Sequence, residues 1–132
     1  MKDKVLILDG NKFSTIDEFY KEAYTILTSG LDWDVAHNFD AFHDILFGGF
    51  GVFESNELVT IKWINSSKSC HDLGLQHSID YYKLRSSGLT GSRSLHFLKK
   101  ATDLEEGKGE TLFETILEIF AEHPNITLQT GD

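Results

Sequence analysis

Cysteine is almost absent: Cys70 stands alone in 132 residues. No internal disulfide is available, and nothing around it supplies the ligand cluster of a metal site. A reducing compartment is the natural setting for such a chain. Long apolar runs are missing too. The first one, in MKDKVLILDG, stops after four residues at Asp9-Gly10, far short of a signal-peptide core or a membrane span. A soluble, cytoplasmic protein with no membrane contact is expected. Internal repeats and low-complexity tracts are lacking as well.

The most telling absence is of positive charge. Between Lys21 and Lys62 there is no Lys or Arg, whereas seven acids occur there: Glu22, Asp32, Asp34, Asp40, Asp44, Glu54 and Glu57. Residues 62–108, by contrast, hold eight bases and five acids, within a chain of net charge −9. Such a balance argues against direct nucleic-acid binding, which needs clustered Lys and Arg against phosphate. It favours a basic protein partner.

What is present suffices for one domain over 1–132: the length and a 40% hydrophobic content permit one real core and leave little room for a second. Val5 to Leu8 predicts a buried strand ending in a turn at Asp9-Gly10. Thr15 with Glu18 forms a capping box, and Ile16, Phe19, Tyr20, Ala23 and Leu27 continue at helical spacing as far as Gly30. Asn38 is a good N-cap for a second helix to about Phe47, which the glycines Gly48, Gly49 and Gly51 end. Leu58 to Ile64 (LVTIKWI) predicts a central strand covered on both faces. Ser66 to Leu73 predicts a short helix capped by Ser66 and stopped by Gly74. Thr111 with Glu114 opens another helix on the stripe Leu112, Phe113, Ile116, Leu117 and Phe120, and Ile126 to Thr130 follows as the last strand. Strands separated by helices, without hairpin turn signals, give an α/β fold: a small three-stranded parallel sheet covered by helices. The segment at about 75–108 fits this plan least and is read as an insertion of one or two helices.

The chemistry concentrates in Trp33 to Gly51, WDVAHNFDAFHDILFGGFG. At about 100° per residue, Phe39, Ala41, Phe42, Ile45 and Leu46 share one arc of the second helix. Asp40 and Asp44, at i and i+4, project from nearly the opposite side, with His43 beside them. An Asp in a first turn also answers to the helix dipole, but no base stands near enough in sequence to neutralise the pair. His37, Asp40, His43 and Asp44 could in principle act as acid and base; no nucleophile motif accompanies them, and an enzyme is not expected. Neither His37, Asp40 and Asp44 nor Cys70, His71 and His77 has zinc-ligand spacing, so no metal or cofactor is called for. Gly48-Gly49-Phe50-Gly51 follows a helix and does not open one, unlike a phosphate loop. Trp33 reads equally as an interface aromatic or as core. Glu114, Glu118 and Glu122 read as a solvated face.

The run Asn38-Phe39-Asp40-Ala41-Phe42-His43-Asp44-Ile45-Leu46 resembles the N-L-D-A-L/F-x-D-x-L signature of the barstar family, and it follows a strand and a helix as in that family. Gly48-Gly49-Phe50-Gly51, the strand with Trp63, and Gly109-Glu110-Thr111 leading through a helix to Pro124-Asn125-Ile126 are similar too. The likeness covers the chain except about 75–108. It implies a barstar-like inhibitor of immunity or antitoxin type, monomeric when free, whose acidic helix and preceding loop enter the active site of a basic ribonuclease or ribonuclease-type toxin. Asp40 and Asp44 would be the main acidic contacts, Asp44 the anchor, Asn38 the cap that shapes the loop, and Glu110 a further acidic contact. The partner-binding set expected is Trp33, Asp34, His37, Asn38, Asp40, His43, Asp44, Gly48 and Glu110. Two departures bear on the target: His43 stands where the best-known members carry an aromatic residue, and Asp34-Val35-Ala36 where they carry Tyr-Tyr-Gly. The alternative is the same scaffold serving a basic protein that is not a ribonuclease.

Overall fold

The structure is a computed structural model describing residues 4–29 and 35–132. Its strands are β1 (Lys4–Asp9), β2 (Val59–Ile64) and β3 (Ile126–Thr130). The helices are α1 (Ile16–Leu27), α2 (Phe39–Leu46), α3 (Ser66–Asp72), α4 (Leu75–Ser87), α5 (Gly91–Glu105) and α6 (Leu112–Ala121). All strands run parallel in the order β1-β2-β3. The chain is thus a small α/β protein built on a three-stranded parallel sheet.

Register divides the sheet into two unlike faces. Leu6, Ile61 and Leu128 align, as do Leu8 and Trp63, and these rows turn toward the helices. The alternate rows, Val5 with Thr60 and Thr127, then Ile7 with Lys62 and Gln129, point the other way. There Val5 is 49% and Ile7 45% exposed, and Lys62 lies open. The sheet is therefore covered on one face only, a correction to the expectation that β2 is enclosed on both. A β-branched run does not report burial by itself, because Thr60 and Lys62 tolerate solvent while keeping the strand conformation.

Trp63 organises the covered side. Its ring, fully buried, lies 5.1 Å from Phe113, 5.7 Å from Phe19, 6.2 Å from Phe13 and 6.3 Å from Phe120. The indole Nε1 donates to Ser69 Oγ at 3.0 Å, so α3 satisfies the one polar atom this ring brings inside. Both expected capping boxes form, Thr15 with Glu18 on α1 and Thr111 with Glu114 on α6. The cap of α3 differs from expectation. Asn65 occupies it at φ 53° without a side-chain cap bond, and Ser66 lies inside the helix, its backbone N–H and hydroxyl both donating to Gly131 O. The left-handed residue turns the chain directly from β2 into α3, leaving no room for a serine cap.

Residues 75–108 fold as a helical hairpin. Ser86 meets Ser94, Tyr82 stacks near Phe97, and Lys83 pairs with Glu105, which sets α4 and α5 antiparallel. Among the described residues no helix is long and apolar enough to cross a membrane.

Gly10 marks the tightest crossing. A methyl group there would come within 2.4 Å of Asn65 O and 2.5 Å of Ser69 Oγ, the acceptor of the Trp63 bond. Gly10→Ala is expected to lower stability by about 2 kcal/mol or more, through overpacking and loss of that bond. Urea denaturation followed by Trp fluorescence measures this; an unchanged midpoint would contradict the packing described.

Candidate functional site

Helix α2 is fixed at its start, on its back and at its end. Asn38 Oδ1 accepts from the Ala41 backbone N–H at 2.8 Å, closing the N-terminal turn. On the inner arc, Phe42, Ile45 and Leu46 are buried, and the Phe42 ring meets Phe19 at 5.5 Å and Phe120 at 5.3 Å, edge to face in both cases. Removing a buried ring of this kind costs about 3 to 5 kcal/mol. Gly48 ends the helix at φ +90°, and a Cβ there would lie 2.7 Å from Glu54 O. This backbone requirement accounts for Gly48, one of the expected partner-binding residues.

The outer arc carries the charge. Asp40 and Asp44 are both exposed, and among the described residues no cation lies within 4.0 Å of either. His43 stands near them but faces α6: its Nε2 is 3.2 Å from Glu122 Oε2 and its Nδ1 3.1 Å from His123 Nε2. Phe47, 60% exposed, places its ring edge on against His123 at 4.9 Å. One continuous surface therefore joins the outer arc of α2 to the C-terminal half of α6.

Glu110 belongs to the same side of the molecule. It lines a hollow with Glu118, Thr115 and Lys100. A hydrogen bond with the Glu118 carboxyl, then burial and repulsion from Glu118 and Glu114, hold the Glu110 carboxyl above its ordinary range. A positive neighbour would relieve the repulsion among these acids and so favour the charged form of Glu110.

The remaining expected residues divide. His37 is turned against α1, its ring stacked 5.4 Å from Tyr20 and its Nδ1 3.3 Å from Asp17 Oδ1. Tyr24 donates to Ala36 O at 2.9 Å, so the approach to α2 is pinned to α1. Trp33 and Asp34 lie outside the described residues. Sequence reasoning missed Glu118, Glu122 and Phe47 as parts of this surface. Glu114, Glu118 and Glu122 are all exposed, as a solvated face requires, but their roles separate: Glu114 closes the capping box, whereas Glu122 meets His43 and Glu118 meets Glu110. Their i, i+4 spacing was the available signal; which way it faced depends on how α6 docks beside α2. Among the described residues no three of His, Cys, Asp and Glu converge as metal ligands would.

No family model, curated protein or solved structure matches the chain. What the fold defines is a class: a small α/β protein with one open sheet face and, at the helical side, an exposed acidic surface.

His123 gives this surface a pH dependence. It is 3% exposed, and its pKa is lowered below 6.5, first by burial and then by His43, with Glu122 acting in the opposite sense. The unfolded chain takes up this proton at higher pH than the folded one, so stability is fully present above 6.5 and declines as pH falls below it. Urea midpoints are expected to be lower at about pH 5.5 than at about pH 7.5, with the difference reduced in His123→Gln. Equal midpoints for the wild type would contradict the burial of a neutral imidazole.

Proposed function

We propose that the chain is a barstar-type inhibitor, a cytoplasmic protein without catalytic activity that blocks the active site of a basic ribonuclease or ribonuclease-type toxin. The observation that carries this reading is the Asp40/Asp44 pair: two exposed carboxylates without a cation within 4.0 Å among the described residues, on a helix whose opposite arc is locked into the core. A site that holds RNA phosphates is rich in Arg, Lys and His, and carboxylates desolvated against such groups form charge-assisted hydrogen bonds. Rigid mounting matters because these side chains need little reordering on binding. Glu122 and Glu118 widen the acidic surface beyond α2, and Phe47 offers a neighbouring apolar contact. Long-range attraction between surfaces of opposite charge speeds encounter and weakens with salt.

His43, engaged with Glu122 and His123, stands where the best-known members of the family carry an aromatic residue. That difference favours a target other than the best-known ribonucleases of the family, and it keeps a basic toxin domain of another kind as the second reading.

In a panel of small basic ribonucleases, Asp44→Ala is expected to weaken inhibition by about 30-fold or more, the equivalent of about 2 kcal/mol for a desolvated anchor; barstar's own complex contributes to that general range. Asp40→Ala/Asp44→Ala loses most inhibition while remaining folded, and Glu114→Ala, which breaks only a cap, leaves inhibition unchanged. Full inhibition by the folded double variant would sink the proposal; no inhibition by the wild type of any ribonuclease tested would move the partner to the second reading.

A further inference from the structure

Between the α4–α5 hairpin, the start of α2 and Thr115 of α6 lies a cleft of about 410 Å³, within the size range of small-ligand sites. Arg85 from α4 and Arg93, His96 and Lys100 from α5 line it. Their convergence follows from helical spacing: Tyr82 and Arg85 fall on one stripe of α4, and Arg93, Phe97 and Lys100 fall on the facing stripe of α5. The Arg85 guanidinium sits 5.2 Å from the centre of the Phe97 ring, and the Lys100 ammonium 5.5 Å from that of Tyr82. These two rings lie 6.1 Å apart and within 20° of parallel. Such contacts steady a cation without neutralising it.

The charges are otherwise unspent. Among the described residues no carboxylate lies within 4.0 Å of Arg85, Arg93 or Lys100. The far wall is polar and of opposite character, with Asn38 and Asp40 at the start of α2 and Thr115 on α6. Asn38, which lines the cleft, uses its amide oxygen to cap α2, which leaves its NH₂ group to donate elsewhere.

We propose that this cleft binds a mononucleotide. Arg85 and Arg93 take its phosphate, since a guanidinium matches phosphate oxygens with two parallel donors. Lys100 adds a point charge from the side, shared with the hollow that holds Glu110 and Glu118. Asp40 accepts from sugar hydroxyls or a base amino group, and Asn38 donates to a base acceptor such as an adenine ring nitrogen. A polynucleotide does not suit the site: Asp40, Glu110 and Glu118 flank the cations and repel a continued phosphate chain. Asp40 also belongs to the proposed inhibitory pair, so a bound nucleotide and a basic partner would compete for it. That consequence rests on the proposed function; the binding itself does not.

The test is an NMR titration of the isotope-labelled full chain with AMP, adenosine and inorganic phosphate in parallel. AMP is expected to saturate shifts of amides in 81–100 with a dissociation constant of about 1 mM or tighter, and adenosine and phosphate alone to bind at least about tenfold more weakly. Arg85→Ala/Arg93→Ala lowers AMP affinity about tenfold or more, whereas Lys62→Ala, a charge removed from the open sheet face, leaves it unchanged. No saturable shift with AMP in the wild type overturns the proposal. So does phosphate binding as tightly as AMP, which would leave an adventitious anion only. A third result also overturns it: if AMP fails to bind while the arginine variants weaken capture of a ribonuclease, the cleft is a partner-docking surface. Failure of inhibition leaves the AMP titration unaffected, so the two readings fail separately.

Discussion

The Trp63 side chain holds the covered half of the molecule together, and the placement of the candidate site follows from how the elements pack around it. It stands on the central strand, where Phe19 of α1, Phe113 and Phe120 of α6 and the loop residue Phe13 all reach its ring. Phe42 of α2 then inserts between Phe19 and Phe120. Through Phe42, helix α2 is held by rings of the two helices that pack on the tryptophan. Because rings in a packed core accept few arrangements, the rotation of α2 about its own axis is set by Phe42, and with it the outward direction of Asp40 and Asp44. The site is a consequence of core packing.

Charge is then sorted over the surface that this packing creates. Asp40 and Asp44, with Glu118 and Glu122, make one side acidic, while Arg85, Arg93 and Lys100 line the adjoining cleft, with Asp40 on its far wall. In a chain of net charge −9, these cations come near carboxylates without any described one lying within 4.0 Å of them. Pairing exposed charges contributes little to stability, so leaving them, Asp40 and Asp44 without close partners costs the fold little.

Much of the architecture was legible because its signals are local. The capping boxes at Thr15 and Thr111, the stop at Gly48 and the apolar stripes of α1, α2 and α6 each depend on residues within a few positions of one another. The parallel sheet followed from strands separated by helices. Three features were not legible. The open sheet face was hidden because Val, Ile and Thr suit a strand whether or not something covers it. The left-handed Asn65 was hidden because the sharp turn from β2 into α3 is a demand of the tertiary path. The α4–α5 hairpin was read as one or two helices, but its cleft depends on Tyr82 and Phe97 meeting across the hairpin. In the candidate site, Asp40, Asp44 and Asn38 were singled out from spacing and resemblance. Glu118 and Glu122 were set aside, since only the docking of α6 against α2 brings them to that surface.

In the proposed function, the outer arc of α2, with the adjoining part of α6, is the surface a basic protein covers. The decisive experiment is amide hydrogen exchange of the full chain, free and mixed with a ribonuclease that it inhibits. Protection is expected over Asn38–Phe47 and Glu118–His123, with none added on the open sheet face at Val5, Ile7 and Lys62. Protection confined to the strands, with α2 exchanging as in the free protein, would contradict the account.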